Sequence, residues 1–323
     1  MHVVVTRKLP GPAIGRLRDA GHSVWVFEEG LSESSGQPIP RPLLLEKVSG
    51  ADGLLPLLTD RIDAELLSAA PSLKVVANYA VGFDNIDVDA CRAAQVTATN
   101  TPDVLTEATA DQAWALMLAT ARRVVEGHTW VANGLFDGWK PEMLLGRSIH
   151  GRTLGIIGGG RIGRAVAKRA FGFSMRVLLC DPNPWDEGQR WSVQRADLPT
   201  VLRESDFITL HTPLNEQTKH LINAKTLAQM KTTAMLINTA RGGLVDESAL
   251  FDALHNRTIA GAGLDVFDPE PPHPDNPLLA LPQVVVAPHL GSATIQAREA
   301  MANLAVDNLL AVLDGKPPLT PIT

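Results

Sequence analysis

Gly158-Gly159-Gly160-Arg161-Ile162-Gly163 fits the spacing G-x-G-x-x-G, and its surroundings restrict the fold more than any other stretch of the chain. An apolar run, Thr153–Ile157, leads into the glycines, and a helical pattern near 162–171 leads out. Strand, glycine turn and helix in that order open a doubly wound α/β sheet, in which the turn lets backbone approach a phosphate closely. The rhythm then continues. Arg176–Cys180, Phe207–Leu210, Ala234–Asn238, Gly261–Asp265 and Val284–Ala287 read as strands, separated by helices near 197–203, 224–229 and 246–255, so this sheet is expected to hold six strands.

The residues ahead of the glycines carry the same alternation. Val3–Thr6, Ser23–Phe27, Gly53–Leu57, Val75–Tyr79 and Val96–Asn100 read as strands of a parallel sheet with crossover helices. Asn100-Thr101-Pro102 breaks the pattern, and from Asp103, a candidate N-cap, an Ala/Leu-rich helix runs to about Gly127. A last helix, about Thr294–Asp314, has apolar residues at helical spacing and is expected to return to the first sheet. At 323 residues the chain suits two domains, 1–100 completed by 290–323, and 101–289.

Composition narrows the function classes. Apolar residues make up 45% and charged residues 20% of the chain, and no apolar run approaches the ~20 residues of a membrane span. The start, Met-His-Val-Val-Val-Thr-Arg, lacks the pattern of a secretory signal and reads as a strand. A net charge of −6, with no basic cluster longer than Ala-Arg-Arg at 121–123, argues against a nucleic-acid groove or an anionic membrane surface. Cys91 and Cys180 make neither a disulfide framework nor a metal-ligand spacing, so a reducing cytoplasm and no metal are expected.

The chemistry gathers at strand ends. Asp181, 23 residues after Gly158, ends its strand where a carboxylate would bind the adenosine ribose and repel a 2′-phosphate, which favours NAD(H) and leaves NADP(H) possible through Arg190 or Arg195. Arg241 follows one strand, Asp265 and Glu270 the next, and His289 the one after. An arginine can clamp a carboxylate, and a histidine beside a carboxylate can donate a proton near neutral pH. Singly, each residue could be an ordinary loop polar group. At three consecutive strand ends the combination points to reduction of a 2-keto acid by hydride and proton.

Several motifs together make the chain resemble the D-2-hydroxyacid dehydrogenase family, in particular its glyoxylate and hydroxypyruvate reductase branch. They are Val76-Ala-Asn-Tyr-Ala-Val-Gly-Phe-Asp-Asn-Ile-Asp, Asn100-Thr-Pro-Asp-Val-Leu-Thr-Glu-Ala-Thr-Ala-Asp, the glycine loop, His211-Thr-Pro-Leu-Asn, Asn238-Thr-Ala-Arg-Gly, Gly261-Ala-Gly-Leu-Asp-Val-Phe and Pro288-His-Leu-Gly-Ser-Ala-Thr. The resemblance implies a flavodoxin-like substrate domain beside a Rossmann-type dinucleotide-binding domain. It implies that Arg241 orients a small 2-keto or 2-hydroxy acid, that His289 is the acid/base, and that Glu270 favours its protonated form. Backbone N–H groups around Val81 and Gly82 would hold the substrate carboxylate, and Ser292 would contact its polar groups. Leu57 would wall the pocket, or equally be ordinary core. Trp139 would enter the partner's site in a homodimer, or anchor the interface without touching substrate. Thr109, Gly158, Gly160, Arg161, Ile162, Gly163, Asp181, Thr212, Pro213, Thr218, Thr239, Asp265 and His289 would line the cofactor, with Asp265 near the carboxamide.

The similar phosphite dehydrogenases carry Lys where this chain has Val81, and formate dehydrogenases carry Gln where it has Glu270. Glyoxylate or hydroxypyruvate is therefore the expected substrate. The chain departs from the branch at Asp181, where several glyoxylate reductases have residues suited to NADP, and in a shortened stretch around Trp139. Another D-2-hydroxy acid, or a dinucleotide-sensing binding protein on the same scaffold, is the alternative.

Overall fold

The computed structural model describes residues 1–28, 38–185 and 191–323. It divides into two compact units, Met1–Leu105 with Ala293–Thr323, and Thr106–Ser292. These divisions lie a few residues beyond 100 and 289. Asn100 and Thr101 are still tied by hydrogen bonds to Thr320 and Ala80 of the first unit, and Leu290 and Gly291 to Asp265 of the second.

In the first unit, β1 (His2–Val5), β2 (Ser23–Val26), β3 (Gly53–Leu55), β4 (Val75–Ala77) and β5 (Thr97–Thr99) form a sheet in the order β2-β1-β3-β4-β5. Every pairing is parallel, and the order is that of a flavodoxin-like doubly wound sheet. The helices α1 (Ala13–Asp19), α2 (Arg41–Val48), α3 (Ala64–Ala69) and α4 (Val88–Ala93) supply the crossovers. The last helix of the chain, α11 (Ile295–Leu313), packs on this sheet. Its Leu309 packs so closely over Gly53 that a Cβ there would lie 3.0 Å away. Covered on both faces, β3 and β4 are buried throughout, which is why they read as unbroken apolar runs. β3 ends two residues sooner than its pattern, so Leu57 lies in the loop beyond the strand end.

The second unit opens with α5 (Thr106–Ala121) and α6 (Val124–Ala132). The sequence suggests one helix from Asp103 to Gly127, and this is corrected in two respects. Asp103 has φ 71° and precedes the helix start by three residues, and at Arg123 (φ 53°) the chain turns left-handed and divides the helix. Arg147 N–H then closes the last turn of α5 by donating to Ala121 O at 2.8 Å. The remaining elements are β6 (Thr153–Ile157), α7 (Arg161–Ala170), β7 (Arg176–Cys180), β8 (Val193–Arg195), α8 (Leu198–Glu204), β9 (Phe207–Leu210), α9 (Ala224–Leu227), β10 (Met235–Asn238), α10 (Glu247–His255), β11 (Gly261–Leu264) and β12 (Val284–Val286).

Its sheet has the order β12-β11-β10-β9-β6-β7-β8, all parallel. Among the described residues seven strands stand where six are expected. The additional β8 is a three-residue, mostly exposed edge strand with no apolar run to betray it. Side chains alternate between the faces. Leu154, Ile156, Val177, Leu179, Met235 and Ile237 pack with α5 and α7, whereas Leu178, Ile208, Leu210 and Leu236 pack with α8, α9 and α10. Helix α6 buries no side chain of its own. No helix among the described residues is long and apolar enough to cross a membrane.

Candidate active site

All parallel strands of the second unit end on one edge of the sheet, and the order reverses at β6, which lies between β9 and β7. Ligands of open α/β sheets bind at such a switch point. There Gly158 has φ 102°, and a Cβ on it would lie 2.4 Å from the His211 carbonyl. Only glycine allows the turn after β6 to press against the turn after β9, which carries Thr212 and Pro213. Gly160 is the N-cap of α7, so no capping side chain covers the first amides of that helix, and its positive end is open to an anion. Arg161 is exposed on this first turn, Ile162 is half-buried and Gly163 buried.

Asp181, just past β7, turns its carboxylate back to the glycines, with Oδ2 accepting from Gly159 N–H at 2.5 Å and Oδ1 from Asn183 N–H at 2.7 Å. Arg195 Nη2 donates to the carbonyls of Asp181 and Pro182 at 3.0 and 2.7 Å. Arg190 lies outside the described residues. Thr218 Oγ1 donates to Pro213 O at 2.6 Å and so closes the turn after β9. His211 meets Thr209 Oγ1 at 2.8 Å, and desolvation pushes its pKa down to about 3. The Thr239 hydroxyl is buried with no hydrogen-bond partner among the described residues. A glycine cradle, an open helix end, a carboxylate on the next strand and a buried hydroxyl left to bond fit a dinucleotide of pyrophosphate, ribose and carboxamide.

The candidate catalytic groups lie on the loops after three adjacent strands, β10, β11 and β12. Buried Asn238 shapes the first loop, accepting from Ala240 N–H at 3.0 Å and donating to Arg241 O at 2.8 Å. A Cβ on Gly242 would lie 2.0 Å from the Phe267 carbonyl, so glycine alone lets this loop close onto the one bearing Glu270. On the third loop His289 holds φ 56°, a left-handed conformation uncommon outside glycine. Asp265 stabilises it. Its carbonyl accepts His289 N–H, and its carboxylate accepts the N–H groups of Leu290 and Gly291 at 2.8 and 2.7 Å, with Gln112 Nε2 at 3.3 Å.

Glu270 Oε1 meets His289 Nδ1 at 2.6 Å, and Oε2 accepts from Phe267 N–H at 3.3 Å. Burial pushes the Glu270 carboxyl up, but the bond and charge of His289, the Phe267 amide and Arg241 outweigh it and hold the pKa below the ordinary value. Burial pushes the Asp265 carboxyl up, offset only in part by its amides and by His289. Arg241, Glu270 and His289 thus make one electrostatic cluster, with His289 Nε2 on the side of the ring away from Glu270. Gln112 and Asn238, which brace it, carry no site role in the sequence reading, although Asn238 opens the motif Asn238-Thr-Ala-Arg-Gly.

Of the other candidates, Thr109 is buried beside Gly291, and Ser292 is half-buried at the end of the unit. Trp139 stands 78% exposed. Leu57, Val81 and Gly82 belong to the first unit, on the loops after β3 and β4. Leu57 N–H is held by Asp60 Oδ2 at 2.8 Å and by Thr6 Oγ1 at 3.2 Å.

Residues 114–291 match the family described as D-isomer specific 2-hydroxyacid dehydrogenase, NAD binding domain. Over 98% of its length the chain is 48% identical to a glyoxylate reductase from Thermococcus onnurineus, of which it covers 94%. Among solved structures, the TT0316 protein from Thermus thermophilus is similar at TM-score 0.94 and 49% identity, with 100% of both chains covered. An NADPH-dependent glyoxylate/hydroxypyruvate reductase from Sinorhizobium meliloti, in complex with NADP and malonate, is similar at TM-score 0.85 and 33% identity over 100% of this chain and 96% of that one.

Proposed function

The chain belongs to the D-isomer specific 2-hydroxyacid dehydrogenase family, and from this we infer that it reduces glyoxylate or hydroxypyruvate to the 2-hydroxy acid with NADH. The observation that carries the reading is the 2.6 Å Glu270–His289 pair beside Arg241 at three adjacent strand ends. A dinucleotide held by the glycine loop, Asp181 and Thr239 would supply the hydride that reduces the keto carbon. His289, with Nδ1–H held by Glu270, gives the Nε2 proton to the keto oxygen and takes it back in the reverse direction. Arg241 pairs with the substrate carboxylate and keto oxygen through its fork of N–H groups. Amides around Val81 and Gly82 take the carboxylate, Ser292 contacts the polar end, and Leu57 walls the pocket.

Asp181 supports NADH over NADPH, because a carboxylate bound to the glycine loop would repel a 2′-phosphate. Arg195, engaged on two carbonyls, is poorly placed to reverse that preference. The apolar side chains Val124, Val125, Val131, Leu135, Phe136, Trp139 and Leu145 are all exposed on and after α6, which supports a homodimer to which Trp139 is contributed. Free Cys91 and Cys180 suit a reducing cytoplasm.

Initial rates of NADH and NADPH oxidation with glyoxylate, hydroxypyruvate, pyruvate and phosphonooxypyruvate test this reading. Fast NADH-dependent turnover of either of the first two is the expected result. An NADPH preference would overturn the role of Asp181, and turnover confined to the other acids would overturn the substrate.

A further inference from the structure

We propose that Asn78 and Asn100 are positioning residues that aim the backbone amides of Val81, Gly82 and Phe83 at the substrate carboxylate. The proposal rests on the reading above that this loop takes the carboxylate. Three successive carbonyls are tied back to the strand ends. Ala80 O accepts Thr101 N–H at 2.9 Å, Val81 O accepts Asn100 Nδ2 at 2.8 Å, and Gly82 O accepts Asn78 Nδ2 at 2.9 Å. These peptide bonds are trans and planar, so fixing each carbonyl turns the N–H of the following residue the opposite way. The amides of 81, 82 and 83 therefore face away from the asparagines, and among the described residues none of them has an acceptor. Successive amides presented together form an anion-binding concavity.

Both asparagines are themselves held. Asn78 is fully buried and exchanges hydrogen bonds with Asn85 at 3.2 and 3.3 Å; Asn85 also donates to the carbonyls of Leu57 and Asp60 at 3.2 and 3.0 Å. The same brace thus joins the carboxylate loop to the loop of Leu57. Asn100 is fixed through its backbone, whose carbonyl accepts from Thr320 Oγ1 at 2.6 Å, and Thr320 is in turn bound to buried Asn308. A neutral amide suits the task. It donates to a carbonyl without a negative charge that would repel the substrate.

The test is steady-state kinetics of Asn100→Ala and Asn78→Ala, with oxalate as a competing carboxylate. The expected result is a KM for glyoxylate and an inhibition constant for oxalate raised about tenfold or more, the worth of a hydrogen bond to a charged group. NADH affinity should stay within about twofold, because the dinucleotide belongs to the other unit. If buried Asn78→Ala fails to fold, half-buried Asn100→Ala decides alone, and unchanged glyoxylate and oxalate constants in it overturn the proposal. In wild-type protein, the 15N amide resonances of 81–83 should move on oxalate titration. Resonances that stay still would overturn the substrate reading itself, whereas moving resonances with unaffected variants would overturn only the brace.

Discussion

Glu270 keeps its charge against burial because His289, Phe267 N–H and Arg241 surround it, and that has a consequence for stability. A carboxyl whose folded pKa lies below its unfolded value stabilises the fold fully above the unfolded value, near 4.5 here, and loses that contribution as pH falls through the folded value. Wild-type protein should therefore melt above Glu270→Gln at about pH 6, with the difference shrinking below 4.5. A difference that widens on acidification would show that the carboxylate is not sustained by this cluster. His211, held neutral with a pKa of about 3, should contribute nothing to the pH–rate profile near neutrality. At Asp181 the prediction concerns the cofactor: Asp181→Ser should lower the KM for NADPH by roughly tenfold or more, the effect of removing one nearby like charge. An unchanged NADPH/NADH ratio would place the selectivity elsewhere.

The loops after β10 and β11 meet at Gly242, so that residue couples two elements. Gly242→Ala would put a Cβ 2.0 Å from the Phe267 carbonyl and force the loops of Arg241 and Glu270 apart. Overpacking of this kind costs about 1–3 kcal/mol, so Tm should fall by several degrees together with kcat. An unchanged Tm and kcat would contradict the coupling. The same elements show what is legible in a sequence. Strands buried on both faces, such as β4 and β10, announce themselves as apolar runs, and the strand-end motifs lead to Arg241, Glu270 and His289. β8 does not, because an exposed edge strand of three residues buries too little to leave a pattern. Nor does the break between α5 and α6, since Arg122-Arg123 interrupts neither helix propensity nor apolar spacing, and the groups that close it come from 146–147. Asp265 and Asn100 stand out as motif positions, but their work depends on backbone groups brought to them by the fold, Leu290 and Gly291 in one case and Val81 in the other.

Taken whole, the described residues form two separately cored doubly wound units, and exposed apolar side chains gather on α6 and the segment after it. Val131 is 62% and Trp139 78% exposed in the single chain. Sedimentation equilibrium should find a dimer, and Val131→Asp together with Val125→Asp should shift it to monomer, since a buried unpaired carboxylate is costly at an interface. A wild-type monomer would remove both the homodimer and the role of Trp139. Whether His289 is the proton donor of hydride transfer is decided by single-turnover NADH oxidation with glyoxylate in wild type and His289→Gln. The hydride-transfer rate should be lowered by at least ~10²-fold in the variant while NADH still binds, the usual contribution of a general acid. A variant that transfers hydride at nearly the wild-type rate would contradict that role.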